Sequence, residues 1–163
     1  LPRDSGYEVC EFIRRTPRLR DVAILVMSER ASAADRAYAE EAGADALSLV
    51  NTFLAMSIDP ETRKPRIANV TAGLSGPAIK PIAVRMVYDA AHATRIPIIG
   101  MGGISSAADI IEFMLAGATA VQIGTASYWD PCATEKIVDE LQRYCTEYRI
   151  ARLSDLTGGV VID

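Results

Sequence analysis

Four continuous apolar runs of strand length, each followed by a helix-like pattern, limit how this chain can fold. The runs cover residues 22–27, 46–50, 96–100 and 120–123. They lack the apolar–polar alternation of a strand with one face in water, so we expect strands that are buried on both faces. Strands of that kind separated by helices form parallel sheets, because each return connection must cross over the sheet.

The segments between and after these runs have the periodicity, caps and stop signals of helices. We predict helices over residues 7–15, 32–42, 78–94, 106–115 and 134–149. The sequence therefore predicts four βα units in a single domain, residues 1–163. Two architectures fit: a small open doubly wound sheet, or half of an eight-stranded (β/α) barrel, for which about 250 residues are typical. The length of the chain favours the open sheet, whereas the motifs described below favour the half-barrel.

The connection over residues 52–75 departs from this pattern. It contains Pro60 and Pro65, several charges and two glycines, Gly73 and Gly76. We predict a long loop here, and loops of that length inside a compact domain usually serve a function.

Composition excludes several classes of function. The net charge is −4 and no basic run occurs, so nucleic acid and anionic membranes are poor candidate partners. No apolar stretch approaches the roughly 20 residues of a membrane span, and no apolar leader is visible near the first residue. Three widely spaced cysteines give neither a disulfide framework nor a metal site, so we expect a cytoplasmic protein without metal ligands.

Two glycine turns at strand ends carry the strongest chemical signal. The third strand runs into Gly102-Gly103 and the fourth into Gly124-Thr125, one helix and one strand later. Glycine lets the backbone approach an anion closely and present its N–H groups, and the Thr hydroxyl is a further donor. We expect the pair to bind a phosphate, and a side chain at Gly103 to occupy the anion's place. The alternative is two ordinary tight turns; neither a GxGxxG nor a P-loop motif is present.

Two further segments offer polar or special backbone groups at the same predicted edge. Val50 ends the second strand and is followed by Asn51 and Thr52, whose amide and hydroxyl suit a planar ligand with amide-like edges. Gly76 lies in the segment GLSGPAIKP, where its backbone is able to face a flat ring. Each segment also fits a simple loop or a loop-to-helix junction.

Taken together and in order, Asn51-Thr52, GLSGPAIKP (73–81), IPIIGMGGI (96–104) and GTA (124–126) resemble the dihydroorotate dehydrogenase family. The resemblance is closest to the bacterial class whose catalytic subunit pairs with an iron–sulfur flavoprotein. It extends from about residue 42 to residue 156, and it implies the C-terminal half of an FMN-binding TIM (β/α)8 barrel.

The resemblance also implies roles for individual residues. FMN would contact Val50 and Gly76, and its phosphate would be held by four backbone positions: Gly102, Gly103, Gly124 and Thr125. Asn51 and Thr52 would hydrogen-bond the pyrimidine ring of dihydroorotate or orotate. The implied reaction oxidises dihydroorotate in pyrimidine biosynthesis, passing hydride to FMN. In the paired class, electrons continue through a partner subunit with FAD and a 2Fe–2S cluster to NAD.

The sequence departs from the family pattern in two ways. Family members have a flavin-contacting lysine near the end of the first strand, where the alignment places Val26 after a two-residue gap. The family's catalytic cysteine and several substrate ligands belong to the first half of the barrel, so we assign no catalytic residue to this chain.

A half-barrel leaves its first and last strands as open edges. Either another chain supplies the N-terminal half, or two copies pair, or the fold rearranges into a closed-off sheet. We therefore expect these residues to be one part of a larger functional unit, or a partial or degraded copy. Two alternative functions stay open: a non-catalytic half-barrel that binds a phosphate or flavin, and a related flavin barrel that acts on reduced pyrimidine bases.

Overall fold

The computed structural model describes residues 5–27 and 33–162. Its helices and strands follow one another in this order: α1 (Ser5–Arg15), β1 (Leu25–Met27), α2 (Ala33–Glu41), β2 (Ala46–Leu49), β3 (Phe53–Ala55), β4 (Ile58–Asp59), β5 (Lys64–Pro65), β6 (Ala72–Leu74), α3 (Lys80–Ala93), β7 (Ile98–Met101), α4 (Ala107–Leu115), β8 (Ala120–Gln122), α5 (Ala126–Trp129) and α6 (Ala133–Glu147). Single turns of 3-10 helix at Pro77–Ile79 and Leu153–Leu156 precede α3 and follow α6.

The main sheet has four parallel strands in the order β1-β2-β7-β8. The register aligns Met27 with Ser48, Ser48 with Ile99, and Met101 with Gln122. The predicted α/β class and the four βα units are confirmed. Each strand lies beside the previous main-sheet strand, and the helices contact one another in the same succession, as in one half of a (β/α) barrel.

The core lies between the sheet and its helices. Phe113 of α4 is fully buried among Ile98 of β7, Val87 of α3 and Ile137 of α6. Glycine is required at position 100 of β7, because a Cβ there would lie 2.6 Å from the Phe113 ring. The sequence therefore places its smallest residue under its largest buried side chain.

The opposite face of the sheet is largely uncovered in the described part of the chain. Leu25 and Met27 of β1 are 45% and 61% exposed, and Ala120 and Gln122 of β8 are also exposed. Alternate residues of a strand point to opposite faces, so these side chains share the face that a complete barrel would enclose. The prediction of strands buried on both faces is therefore wrong for β1 and β8, whose uncovered face is what half of a barrel predicts.

The prediction of a loop over residues 52–75 was wrong in part. Strands β3 and β6 pair antiparallel, aligning Phe53 with Leu74, and β4 pairs antiparallel with β5 between them. The result is a nested two-stranded excursion at the carboxyl edge of the main sheet. Strands of two or three residues are too short to give a period-two signal, and Pro65 inside β5 also argues against a strand in the sequence.

Local signals placed the main-sheet strands and the five predicted helices to within a few residues, whereas the short helix α5 was not predicted. The serine predicted to begin the fourth helix is confirmed: Ser106 caps α4, and Asp109 completes a capping box. The first predicted strand is shorter, covering only Leu25–Met27 of residues 22–27. The predicted start of the second helix, at residue 32, lies outside the described residues. Among the described helices, none is long and apolar enough to cross a bilayer.

The core assignment predicts unequal effects for the same substitution at two phenylalanines. Phe113→Ala should lower the free energy of unfolding by about 3–5 kcal/mol, because it opens a cavity beneath the sheet. Phe12→Ala is the control, because Phe12 is 64% exposed on α1 and its truncation should cost less than about 1 kcal/mol. Urea unfolding of both variants measures the difference; equal losses would contradict the assignment.

Candidate functional site

A cavity of about 370 Å³ opens at the carboxyl ends of β2, β7 and β8. Seven of the eight predicted binding residues line it: Val50, Asn51, Thr52, Gly102, Gly103, Gly124 and Thr125. The parallel strands bring together segments that are more than 70 residues apart in the chain. Ligands of open and closed α/β folds bind at this end of the strands.

Gly76, the eighth residue, packs against two of the others. A Cβ at Gly103 would lie 2.6 Å from the Gly76 carbonyl oxygen, and a Cβ at Gly76 would lie 3.7 Å from the methyl group of Thr125. Both glycines have positive φ, +87° at Gly76 and +78° at Gly103. The two turns therefore depend on the absence of side chains at their contact.

This contact corrects one expectation from the sequence. A side chain at Gly103 would not enter the anion's place, because it would collide with the Gly76 carbonyl and with Lys80. A side chain at Gly102 would likewise meet Ala83 at 2.9 Å and Val50 at 3.2 Å, on the core side. The sequence identified these glycines but gave no information on which way their missing side chains would point.

Gly124 is different, because a Cβ there would have no protein atom within 4 Å. It lines the cavity, and its φ is not in the left-handed region. Gly124 is therefore the one glycine of the lining at which a side chain would enter open space without straining the backbone.

Four backbone amides at the cavity are available to a ligand. Among the residues that the structure describes, no acceptor receives a hydrogen bond from the N–H groups of Gly102, Gly103, Gly124 or Thr125. Gly102, Gly103 and Thr125 are half-buried, and half-buried amides are normally paired, so free amides at this cavity suit an anionic ligand.

Asn51 and Thr52 present polar groups at the other side of the cavity. The Asn51 side-chain oxygen accepts the Thr52 amide N–H at 2.8 Å, and the NH2 of the same side chain is the group that can donate to a ligand. A Cβ at Gly73 of β6 would overlap the Thr52 hydroxyl, so β6 packs closely against that side chain. The antiparallel excursion thus helps to fix the orientation of Thr52.

Val26, at the position expected for a lysine, does not face the cavity. Its side chain packs with Cys10, Ile24 and Ala42 on the side of α1 and α2. The position therefore contributes neither a positive charge nor a contact to the cavity. None of the cysteines Cys10, Cys132 and Cys145 lines it either. In the described part of the chain, no cluster of His, Cys, Asp and Glu is arranged to hold a metal ion.

An ion pair behind the cavity is a feature that motif reasoning missed. The Lys80 Nζ donates to Asp109 Oδ1 at 2.6 Å and also to Glu112. Asp109 is 7% exposed and its Oδ2 accepts the backbone N–H groups of Ser105 and Ser106 at 2.8 and 2.9 Å. The capping pattern Ser-x-x-Asp at 106–109 indicates that Asp109 accepts backbone amides at the start of the helix. No local pattern indicates that Asp109 also pairs with a lysine 29 residues earlier in the chain.

These contacts shift the pKa values of both partners. Burial raises the pKa of Asp109, but hydrogen bonds from Lys80, Ser105 and Ser106 outweigh it, and the net pKa lies below the usual range. Hydrogen bonds to Asp109 and Glu112 raise the pKa of Lys80. Both groups are therefore charged near neutral pH.

Six further residues line the cavity and were not predicted: Ser75, Ile79, Met101, Ile104, Gln122 and Ile123. Gln122 is the polar one with a long side chain, and it ends β8 on the uncovered face of the sheet. Its position at the end of a strand, two residues before Gly124, was a signal in the sequence that Gln122 lies at the cavity.

Comparison with known proteins gives one family. The family described as dihydroorotate dehydrogenase matches residues 25–145. A Pelobacter propionicus protein named dihydroorotate dehydrogenase B (NAD(+)), catalytic subunit, is 47% identical over 91% of this chain and 45% of its own length. A Geotalea uraniireducens protein of the same name is 45% identical, over 97% of this chain and 52% of its own length.

The fold has a counterpart among solved structures. DHODH from Eimeria tenella, crystallised with ferulenol, superposes with a TM-score of 0.69 at 26% identity, covering 84% of this chain and 38% of that one. The chain spans about half the length of the curated relatives it matches.

The lowered pKa of Asp109 predicts that this carboxylate accounts for part of the stability that the fold loses at acid pH. A carboxylate with a lowered folded-state pKa stabilises the fold above its unfolded pKa of about 3.9, and that stability is lost as pH falls through the folded value. In Asp109→Asn, the free energy of unfolding should therefore fall less between about pH 5 and pH 3 than in the wild type. Denaturant unfolding at a series of pH values measures this.

Asp139→Asn is the control for that comparison. Asp139 lies exposed on α6, and its side chain makes no hydrogen bond to the described residues. Its substitution should keep the wild-type pH dependence. If the free energy of unfolding of Asp109→Asn falls as much as that of the wild type over the same pH range, the assigned role of the buried carboxylate is wrong.

Proposed function

Because the chain belongs to the dihydroorotate dehydrogenase family, we propose that it forms the FMN-phosphate site and part of the substrate site of an enzyme that oxidises dihydroorotate to orotate in pyrimidine biosynthesis. The observation that carries the proposal is that one cavity is lined by four residues whose backbone amides donate no hydrogen bond within the described part of the chain, which matches this family over residues 25–145.

The cavity fits the phosphate of FMN. The amides of Gly102, Gly103, Gly124 and Thr125 are free to donate, and the open space at Gly124 leaves room for phosphate oxygens. Val50 and Gly76 are the residues that we assign to contacts with the rest of the flavin. Both are buried, so they offer a firm apolar and backbone surface to a flat ring. Bound FMN would supply the hydride acceptor.

Asn51 and Thr52 are proposed to bind the pyrimidine ring. The side-chain NH2 of Asn51 is a donor for a ring carbonyl, and the Thr52 hydroxyl both donates and accepts. Their exposure leaves these groups accessible from outside the sheet. Such paired donors and acceptors recognise a pyrimidine edge more specifically than an apolar wall does, because a wrong edge leaves them unpaired.

The remaining parts of the enzyme are proposed to come from outside these 163 residues. The curated relatives are about twice as long. In the described residues, one sheet face is uncovered, and the outer strands β1 and β8 each have one edge without a neighbouring strand. We propose that an N-terminal half-barrel supplies the catalytic base and the other substrate contacts. We further propose a cytoplasmic enzyme with an electron-transfer subunit that carries FAD and a 2Fe–2S cluster, since its relatives are named as catalytic subunits.

One observation favours a second candidate, a half-barrel that binds flavin without catalysis. Val26 faces the helices instead of the cavity, and none of the three cysteines lines it. Without a cation near the flavin ring, negative charge on a reduced flavin would be less stabilised.

One experiment separates the two candidates. The chain is joined to the N-terminal half of the Pelobacter propionicus relative, titrated with FMN, and mixed anaerobically with dihydroorotate. The proposal predicts stoichiometric FMN binding and bleaching of the flavin absorbance. Binding without bleaching would support the second candidate, and failure of FMN to bind at micromolar concentration would refute both.

The open space at Gly124 predicts a specific loss of FMN affinity. Gly124→Val should weaken FMN binding about tenfold or more, since the side chain fills space assigned to the phosphate. Gly6→Val is the control, because a Cβ at Gly6 also meets no atom within 4 Å but lies on α1. Flavin fluorescence titration measures both variants. Unchanged FMN affinity in Gly124→Val would contradict the site.

The substrate assignment predicts a split between two ligands. Asn51→Ala should weaken orotate roughly tenfold while leaving FMN affinity unchanged, because it removes one hydrogen-bonding side chain from the pyrimidine site alone. Asn69→Ala, in the excursion between β5 and β6, should alter neither affinity. Equal loss of orotate and FMN in Asn51→Ala would show that Asn51 supports the structure of the cavity instead.

A further inference from the structure

The N-terminus of α4, directly behind the glycine turn, is already occupied by the chain's own acceptors. Ser105 and Ser106 donate their amides to Asp109, Ala107 donates its amide to Glu140 Oε2 at 3.2 Å, and the Asp109 amide donates to the Ser106 hydroxyl at 3.3 Å. A helix N-terminus normally attracts an anionic ligand through such amides. Here two carboxylates take that place, and among the described residues around this turn the amides of Gly102 and Gly103 are the ones without an acceptor.

This arrangement brings negative charge close to the proposed phosphate site. Asp109 is buried in the first turn of α4, five residues after Ile104, which lines the cavity. Glu112 lies on the same helix and shares the contact with Lys80, and Glu140 of α6 accepts the Ala107 amide at the start of α4. Like charges in a poorly solvated setting repel strongly. An anion site beside these carboxylates needs a compensating cation.

Lys80 is the cation that contacts this group. Lys80 is the first residue of α3, just after the Gly76 turn, and a Cβ added at Gly103 would lie 3.0 Å from the Lys80 Cβ. Its ammonium group contacts Asp109 and Glu112 with 26% of the side chain exposed. Lys80 thus connects the helix that follows one glycine turn to the helix that follows the other.

We propose that Lys80 is a positioning residue of the phosphate site, which holds Asp109 against the Ser105 and Ser106 amides and offsets its charge, so that the Gly102–Gly103 turn accepts an anion. The inference rests on the proposed function, because it needs a phosphate-bearing ligand in the cavity. Lys80 acts through Asp109 and need not touch the ligand. Its effect is therefore on the phosphate group and not on the flavin ring.

Comparison of FMN with riboflavin, which lacks the phosphate, isolates this effect. Lys80→Met should weaken FMN about tenfold and leave riboflavin unchanged, because only FMN meets the uncompensated charge of Asp109. Arg85→Met is the matched control: it removes one positive charge and one ion pair, with Asp89, from the exposed side of the same helix. It should leave both affinities at the wild-type values.

Two further variants separate the electrostatic role from a merely structural one. Lys80→Met combined with Asp109→Asn should recover the preference for FMN, because the amide oxygen of Asn still accepts the Ser105 and Ser106 N–H groups without carrying charge. Asp109→Asn alone should bind FMN at least as tightly as the wild type. Loss of both flavins in Lys80→Met without recovery in the double variant, or weaker FMN binding in Asp109→Asn, would overturn the inference.

The outcomes also distinguish this inference from the proposed function. A wild-type protein that binds FMN no more tightly than riboflavin would refute the phosphate site, and the inference with it. A wild-type preference for FMN that persists undiminished in Lys80→Met would overturn the role of Lys80 alone. Circular dichroism of each variant confirms that the compared proteins are folded.

Discussion

The close approach of two backbone turns determines the architecture of the cavity. A Cβ at Gly103 would lie 2.6 Å from the Gly76 carbonyl oxygen, so position 103 has no room for a side chain, and the positive φ of Gly76 favours glycine in the other turn. That contact draws the start of α3 toward the start of α4 and brings Lys80 within reach of Asp109. The polar pair in turn secures the Ser105 and Ser106 amides, while the Gly102 and Gly103 amides donate to no group in the part of the chain that the structure describes. Packing, charge balance and ligand access at this edge therefore have one common origin.

Patterns within short stretches of sequence predicted most of the fold. The continuous apolar runs identified four parallel strands, and Ser106 identified the start of α4, because both signals are local. The excursion of β3 to β6 escaped prediction because its strands are held by pairing partners up to about twenty residues away. Similarly, Lys80 gave no signal, since its partner Asp109 lies on a different helix.

At the site, the sequence predicted which residues are present but not the directions in which their side chains point. Seven of the eight predicted residues line a single cavity, because parallel strands place their carboxyl ends at one edge. The sequence did not reveal that a side chain at Gly103 would point at the neighbouring turn while one at Gly124 would meet open space. Nor did it reveal that Val26 faces the helices. Such directions depend on strand register and on backbone dihedral angles, which are set by contacts with other segments.

We propose that the phosphate of FMN binds the turn amides and not the N-terminus of α4. Nuclear magnetic resonance of the ¹⁵N-labelled protein can follow the backbone amides during titration with FMN and with riboflavin. We expect the amide resonances of Gly102, Gly103, Gly124 and Thr125 to shift with FMN and not with riboflavin, while that of Ala107 stays in place. Shifts confined to the amides of Ser106 and Ala107, or identical shifts with both flavins, would contradict it.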